Sequence, residues 1–223
     1  MSKLGQIIFR SEEPLKPSEV SITWEKEGLS GVVYKYRDGF ADLDGQSRLF
    51  QGRTQLFTEA IASGNASLLL RSVRTLDSGT YSCTVQAPNG GGSVTIHLKT
   101  AAFSAPVFTN KEDILTAEAP RWFPKPDVMW HDHNGNIMNA STNFSRNSAG
   151  IFYVVSAVQS VTIPNSYSCT IRNNLVVAVA DATITESGVS GRTFFTFSAA
   201  PVILTFTHLK MMTTVLLAIY YMI

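Results

Sequence analysis

Two stretches of strict alternation stand out along this chain. In one, Tyr81, Cys83 and Val85 share a face while Thr80, Ser82, Thr84 and Gln86 share the other. Successive side chains of a strand point to opposite faces, so the pattern predicts a half-buried strand. Ser166–Ile171 repeats its Tyr-Ser-Cys-Thr core, with Cys169 falling 86 residues after Cys83. Val20, Ile22 and Trp24 alternate onto one face, and Asp127–Trp130 supplies a second tryptophan in a similar setting. Gly31–Arg37 is β-rich and closes on Asp38-Gly39, a hairpin signal. Ser67–Val73 reads as an apolar strand. Pro88–Gly92 reads as a turn, followed by Ser93–Leu98 with Val94, Ile96 and Leu98 inward. Ile151–Val161 and Leu175–Thr185 are predicted as late strands, and Thr100–Ala105 as a short linker. No helix of about ten residues, the ordinary length, is predicted before the C-terminal tail.

A Tyr two residues before a strand Cys is the tyrosine-corner arrangement of immunoglobulin sandwiches, in which the hydroxyl ties the strand to the preceding turn. Tyr81 with Cys83, and Tyr167 with Cys169, both fit it. The same architecture needs a buried Trp on its third strand, a place for Trp24 and Trp130. The Trp-to-Cys separations are 59 and 39 residues. The longer leaves room for two extra strands, as in variable-type domains, and the shorter suits a constant-type domain. The fold class expected is all-β: two tandem immunoglobulin-like β-sandwiches, variable-type over residues 1–100 and constant-type over 101–187. A juxtamembrane linker is expected over 188–200 and a hydrophobic anchor over 201–223.

Composition sharpens this picture. The 223 residues are 44% hydrophobic and only 16% charged, against roughly 25% charged in an ordinary soluble domain. A net charge of +1 without a basic run argues against nucleic acid as a partner. From Pro201 to Ile223 the chain is apolar or Thr apart from His208 and Lys210. That stretch is long enough to cross a bilayer of about 30 Å, although a central lysine costs on the order of 3 kcal/mol. It is read as a transmembrane helix or, given Ser187-Gly188 and Ser190-Gly191, a lipid-anchor signal. The first ten residues lack a secretory-signal pattern, and the first sandwich is expected to be truncated at its N-terminus.

Catalytic chemistry finds no support. The four His are scattered with no nucleophile motif beside them. His131-Asp132-His133 is two ligands short of a zinc site and is read as a loop. Gly90-Gly91-Gly92 precedes a strand, whereas a phosphate loop must open a helix. The expectation is a non-enzyme with no cofactor, no metal and no small-molecule substrate. Three sequons, at Asn65, Asn139 and Asn143, are candidate glycosylation sites. A variable-type domain binds partners through its front sheet and connecting loops. The candidate face comprises outward Thr23, Thr84, Gln86 and His97, with Tyr34, Tyr36 and the Asn89 loop nearby.

Several segments go beyond sandwich logic. Trp24–Gly28, Gly52–Thr54, Gly64–Leu68, Asp77–Cys83 and above all Ala119–Trp130 (APRWFPKPDVMW) resemble the butyrophilin-like T-cell co-signalling ligands across roughly residues 5–187. The resemblance implies a ligand on the external side of the plasma membrane that engages a protein receptor on T cells and dampens activation. Alternatives are a homophilic adhesion protein or a truncated product without independent activity. The match places Arg53 and Asp77 in a salt bridge closing the base of the variable domain. It also exposes a departure. The family joins two strands of each sandwich by a disulfide, yet the positions of the first cysteines fall in Phe9–Glu13, with Phe9 the favoured match, and at Ala117, where no Cys stands. Cys83 and Cys169 belong to different domains and cannot come within the ~7 Å that a bridge requires. Two free buried thiols are expected.

Overall fold

The structure, a computed structural model, describes residues 15–88 and 90–198, and outside them the backbone of four short strands. These are β1 (Ser2–Lys3), β2 (Ile7–Ile8), β19 (Leu204–Thr205) and β20 (Val215–Met222). Phe9, Asn89 and, apart from the backbone of β19 and β20, the expected anchor 201–223 lie outside the described residues. The chain divides into two units, and the main boundary between them falls between Lys99 and Thr100.

The first unit contains β3 (Ser21–Lys26), β4 (Tyr34–Arg37), β5 (Phe40–Ala41), β6 (Thr54–Leu56), β7 (Leu68–Leu70), β8 (Gly79–Ala87) and most of β9 (Gly90–Ala102). Its larger sheet has the order β20-β9-β8-β3-β4-β5, and its smaller one β1-β7-β6. Alternation decides which side chains enter the core. Ile22, Trp24, Tyr81, Cys83, Val85, Val94, Ile96 and Leu98 point inward to meet Leu56, Leu68 and Leu70. Each such side chain contributes about 1.5–3 kcal/mol by leaving water. The Trp24 indole donates to the Ala66 carbonyl at 3.1 Å, so its polar edge is satisfied at full burial. Asp38 (φ 54°) and Gly39 (φ 87°) make the β4–β5 turn, where paired positive φ values suit a two-residue hairpin.

The second unit contains β10 (Val107–Lys111), β11 (Ile114–Trp122), β12 (Asp127–His131), β13 (Ile137–Met138), β14 (Ala140–Arg146), β15 (Phe152–Val158), β16 (Asn165–Arg172), β17 (Val176–Thr185) and β18 (Gly188–Phe197). Two sheets result, β10-β11-β15-β14 and β13-β12-β16-β17-β18. Trp130 is fully buried and pairs directly with Cys169 across β12 and β16. Its indole donates to Ser156 Oγ at 2.9 Å, and Ser156 shares a 2.7 Å hydroxyl contact with Thr142.

Three local readings change. Gly90–Gly92 belong to β9 rather than to the turn, because Ala87 pairs with Gly90 and leaves a two-residue connection. A Cβ on Gly91 would sit 2.8 Å from the Val85 carbonyl, so the strand needs glycine there. The expected linker at Thr100–Ala105 begins as strand: β9 continues through Ala102, with Thr100, Ala101 and Ala102 buried. Residues 188–197 of the expected juxtamembrane linker form β18, paired with β17 from Gly188↔Thr185 to Phe197↔Val176. Its mixture of Gly, Ser, Thr and Phe carries no regular apolar face, and none of its side chains is fully buried.

Candidate functional site

The larger sheet of the first unit presents a polar outer face whose rows follow from register. Lys35, Thr23, Thr84 and Ser93 stand side by side across β4, β3, β8 and β9. The Thr84 and Ser93 hydroxyls lie 3.2 Å apart. One row on are Glu25, Ser82 and Thr95, and beyond them Thr80 and His97, with Thr80 Oγ1 3.2 Å from His97 Nδ1. In the other direction Ser21, Gln86 and Gly91 form the next row. Of the residues singled out from sequence, Thr23, Thr84, Gln86 and His97 therefore share one surface. Glu25, Ser93 and Thr95 complete it and were not singled out. The signal for them was the inward alternation of Trp24, Val94 and Ile96, which forces their neighbours outward.

Tyr34 and Tyr36 are different. They are 5% and 2% exposed and belong to the core. Tyr36 pairs with Ile22 and Tyr34 with Trp24, both inward residues, so period two turns the phenols inward and leaves Lys35 and Arg37 on the face. Burial pushes both phenol pKa values up. Neither ring offers a free surface to a partner. Asn89 lies outside the described residues.

The face has an asymmetric charge frame. At one border Lys35 and Arg37 converge on Asp42, at 3.5 and 2.8 Å. At the other, an open groove of about 350 Å3 is lined by Glu25, Lys26, Glu27, Thr80, Ser82 and Thr95 among others. Lys26 is engaged there: its ammonium donates to the Leu76 carbonyl at 2.6 Å and lies 5.7 Å from the centre of the Tyr81 ring. Desolvation lowers its pKa, opposed in part by the charge of Asp77. The surface can accept and donate many hydrogen bonds. No group of three or more His, Cys, Asp or Glu side chains suited to a metal comes together among the described residues. Asp132 is held by the turn it caps, accepting from the backbone N–H of Asn134 and Asn136.

The frame beneath the face is tightly bonded. Arg53 donates to Asp77 through both terminal nitrogens and to the Leu49 and Ser72 carbonyls. The Tyr81 hydroxyl donates to the Asp77 carbonyl at 2.6 Å. In the second unit the Tyr167 hydroxyl accepts from the Thr162 N–H at 2.9 Å. Cys83 and Cys169 are buried free thiols, and desolvation pushes the pKa of both up, that of Cys169 to about 12. Among the sequons, Asn139 and Asn143 are exposed, the second on β14, while Asn65 is half-buried in the turn before β7.

Comparison with known proteins agrees with this architecture. Residues 10–99 match the immunoglobulin V-set domain model, and residues 107–178 the model described as butyrophilin subfamily 3 member A2-like, Ig-C domain. The chain is 39% identical over 197 residues to the V-set domain containing T-cell activation inhibitor 1 of Mus musculus, covering 84% of this chain and 70% of that protein. The Homo sapiens protein of the same name is 39% identical over 190 residues, covering 81% and 67%. Among solved structures, bovine butyrophilin superposes with a TM-score of 0.60 at 22% identity, over 85% of this chain and 88% of the other, a likeness of fold. Sandwich topology, the paired Tyr-x-Cys strands and identity across both units converge, and the chain belongs to the V-set domain-containing T-cell activation inhibitor family of the immunoglobulin superfamily.

Proposed function

We propose that this chain is a co-inhibitory ligand on the external side of the plasma membrane, which binds a protein receptor on T cells through the outer face of its first unit. It works by binding, without catalysis and without a cofactor. The observation that carries the reading is the 39% identity, across both units, to proteins named as T-cell activation inhibitors. A continuous surface of hydroxyls and amides around Thr23, Thr84, Gln86 and His97 supports it. Such a surface suits a wet, hydrogen-bonded, reversible contact, in which bridging waters are common. The same reading includes the loop that holds Asn89, which lies outside the described residues. It also assigns the membrane anchor to segment 201–223, whose described parts are the strands β19 and β20 rather than a helix, and N-linked glycans to Asn65, Asn139 and Asn143.

The test displays the full chain on cells and co-cultures them with stimulated T cells. T-cell proliferation is expected to fall in proportion to surface level. A Thr84→Trp chain, bulky at the centre of the face, is expected to lose the effect at equal surface level. Unchanged proliferation at high surface level would overturn the reading. Staining before and after glycosidase reports anchoring and glycosylation together, and unglycosylated protein held inside the cell would refute that part.

A further inference from the structure

We propose that the first sugars of an N-linked glycan on Asn143 pack across Val155 against the ring of Tyr153, making the glycan part of the outer face of the sheet β10-β11-β15-β14. The inference rests on the reading that Asn143 is glycosylated. Asn143 stands in the middle of β14, whereas Asn139 falls between β13 and β14, and Asn65 in the turn before β7. Alternation fixes the side that Asn143 takes. Thr142 and Phe144 are half-buried, while Ser141, Asn143 and Ser145 are exposed, so the sequon presents its asparagine on the outer face.

Register decides what lies beside it. Asn143 pairs with Val155 of β15, and Ser145 with Tyr153. Tyr153 and Ala157 are therefore the diagonal neighbours of Asn143, at the roughly 7–8 Å typical of such pairs, a distance that two linked sugar rings span. Ser141, Ser145 and Ala157 are small, and they leave a low shelf at Val155 with Tyr153 as its wall. That wall is tied in place. The Tyr153 hydroxyl donates to Glu118 Oε2 at 2.5 Å, and Glu118 is the partner of Val155 on β11. Tyr153 is still 37% exposed, so its ring has surface to offer. A pyranose ring carries C–H groups on its faces and hydroxyls around its rim. Laid on an aromatic ring beside a valine, it takes apolar surface out of water while its hydroxyls stay hydrated. Attachment through the Asn143 side chain holds the sugar at a high effective concentration over the shelf. A glycan laid there closes this face to a protein partner.

The test uses the full chain, expressed in cells that add N-linked sugar and purified in detergent micelles. Peptide mass spectrometry reads the occupancy of Asn143. Maleimide labelling of Cys169, buried until the second unit opens, follows unfolding on heating. Tyr153→Thr, which keeps a strand-forming residue and removes the ring, is made in the native chain and in Asn143→Gln. The bond to Glu118 is lost in both backgrounds and cancels in the comparison. Tyr153→Thr is expected to lower the unfolding midpoint by at least about 4 °C more in the glycosylated chain than in the Asn143→Gln chain. Tyr153→Phe, which keeps the ring, is expected to cost the same in both, and Asn139→Gln is expected to leave the cost of Tyr153→Thr unchanged. An unoccupied Asn143 would remove the glycosylation reading and this inference with it. An occupied Asn143 with an equal cost of Tyr153→Thr in both backgrounds, or a cost that depends on Asn139 instead, would overturn this inference alone.

Discussion

Arg53 and Asp77 form a two-bond ion pair in which Nη1 donates to Oδ2 at 2.9 Å and Nη2 to Oδ1 at 2.7 Å. Both side chains are nearly out of solvent, and the same carboxylate accepts the Arg74 N–H at 2.7 Å. Removing one partner strands the other charge, which typically costs about 3–5 kcal/mol. Asp77→Ala is therefore expected to destabilise the first unit by that amount in urea unfolding. Arg53→Lys is not expected to restore it, because an ammonium cannot reproduce the planar fork. A loss below about 1 kcal/mol, the range of surface pairs, would contradict this account.

Ser156 stands between two buried demands. It accepts the Trp130 indole N–H and contacts the Thr142 hydroxyl. Ser156→Ala leaves a buried donor unsatisfied, a cost of about 1–3 kcal/mol. Thermal melting of Ser156→Ala beside Thr142→Ala separates the two bonds. The indole bond is expected to matter more, since Trp130 is fully buried.

The two thiols make the stability of the fold independent of reductant. The melting temperature is expected to be the same with and without dithiothreitol, and maleimide is expected to label Cys83 and Cys169 only after unfolding. Alkaline pH acts differently. Desolvation moves the Cys169 pKa from 9.0 to about 12. As pH rises through this window the unfolded chain releases a proton that the folded chain keeps, so stability falls. Below pH 9.0 this contribution is fully present. Urea midpoints taken across the window would check the sign, and Cys169→Ala is expected to reduce the slope, leaving the part that Cys83 contributes in the same direction.

Ala117 offers a converse experiment. It is buried in β11, while Cys169 is buried in the opposite sheet on β16. The family pattern places the missing cysteine at Ala117. Ala117→Cys is expected to oxidise to a bridge with Cys169 and to stabilise the second unit by about 2–4 kcal/mol. Mass spectrometry detects the bridge, and the midpoint measured with and without reductant gives its contribution.

Much of this was legible because strand periodicity and a few large residues determine a sandwich. Trp24, Trp130, Tyr81 and Tyr167 announce their strands through side chains that fit one environment. Asp38-Gly39 announced its hairpin through backbone chemistry. Where the reading failed, two rules competed. Tyr34 and Tyr36 were grouped with the binding face by residue type, although their alternation with Lys35 and Arg37 already turned them inward. Gly90–Gly92 looked like turn chemistry, yet Gly91 serves close packing against Val85. Strand β18 escaped notice because an edge strand needs little apolar alternation, and its pairing with β17 is a property of the backbone.

The turn before β7 holds one more consequence. Asn65 Oδ1 accepts the Ser67 N–H at 3.0 Å, a side-chain mimic of a backbone turn. N-linked sugar is attached through the other amide atom, Nδ2. The amide can therefore carry a sugar while its oxygen keeps the chain folded back on itself. Under the proposed glycosylation, a single side chain divides its two polar atoms between holding the loop and decorating it, and an Asn65→Gln exchange, which removes both roles, would test more than the loss of a glycan.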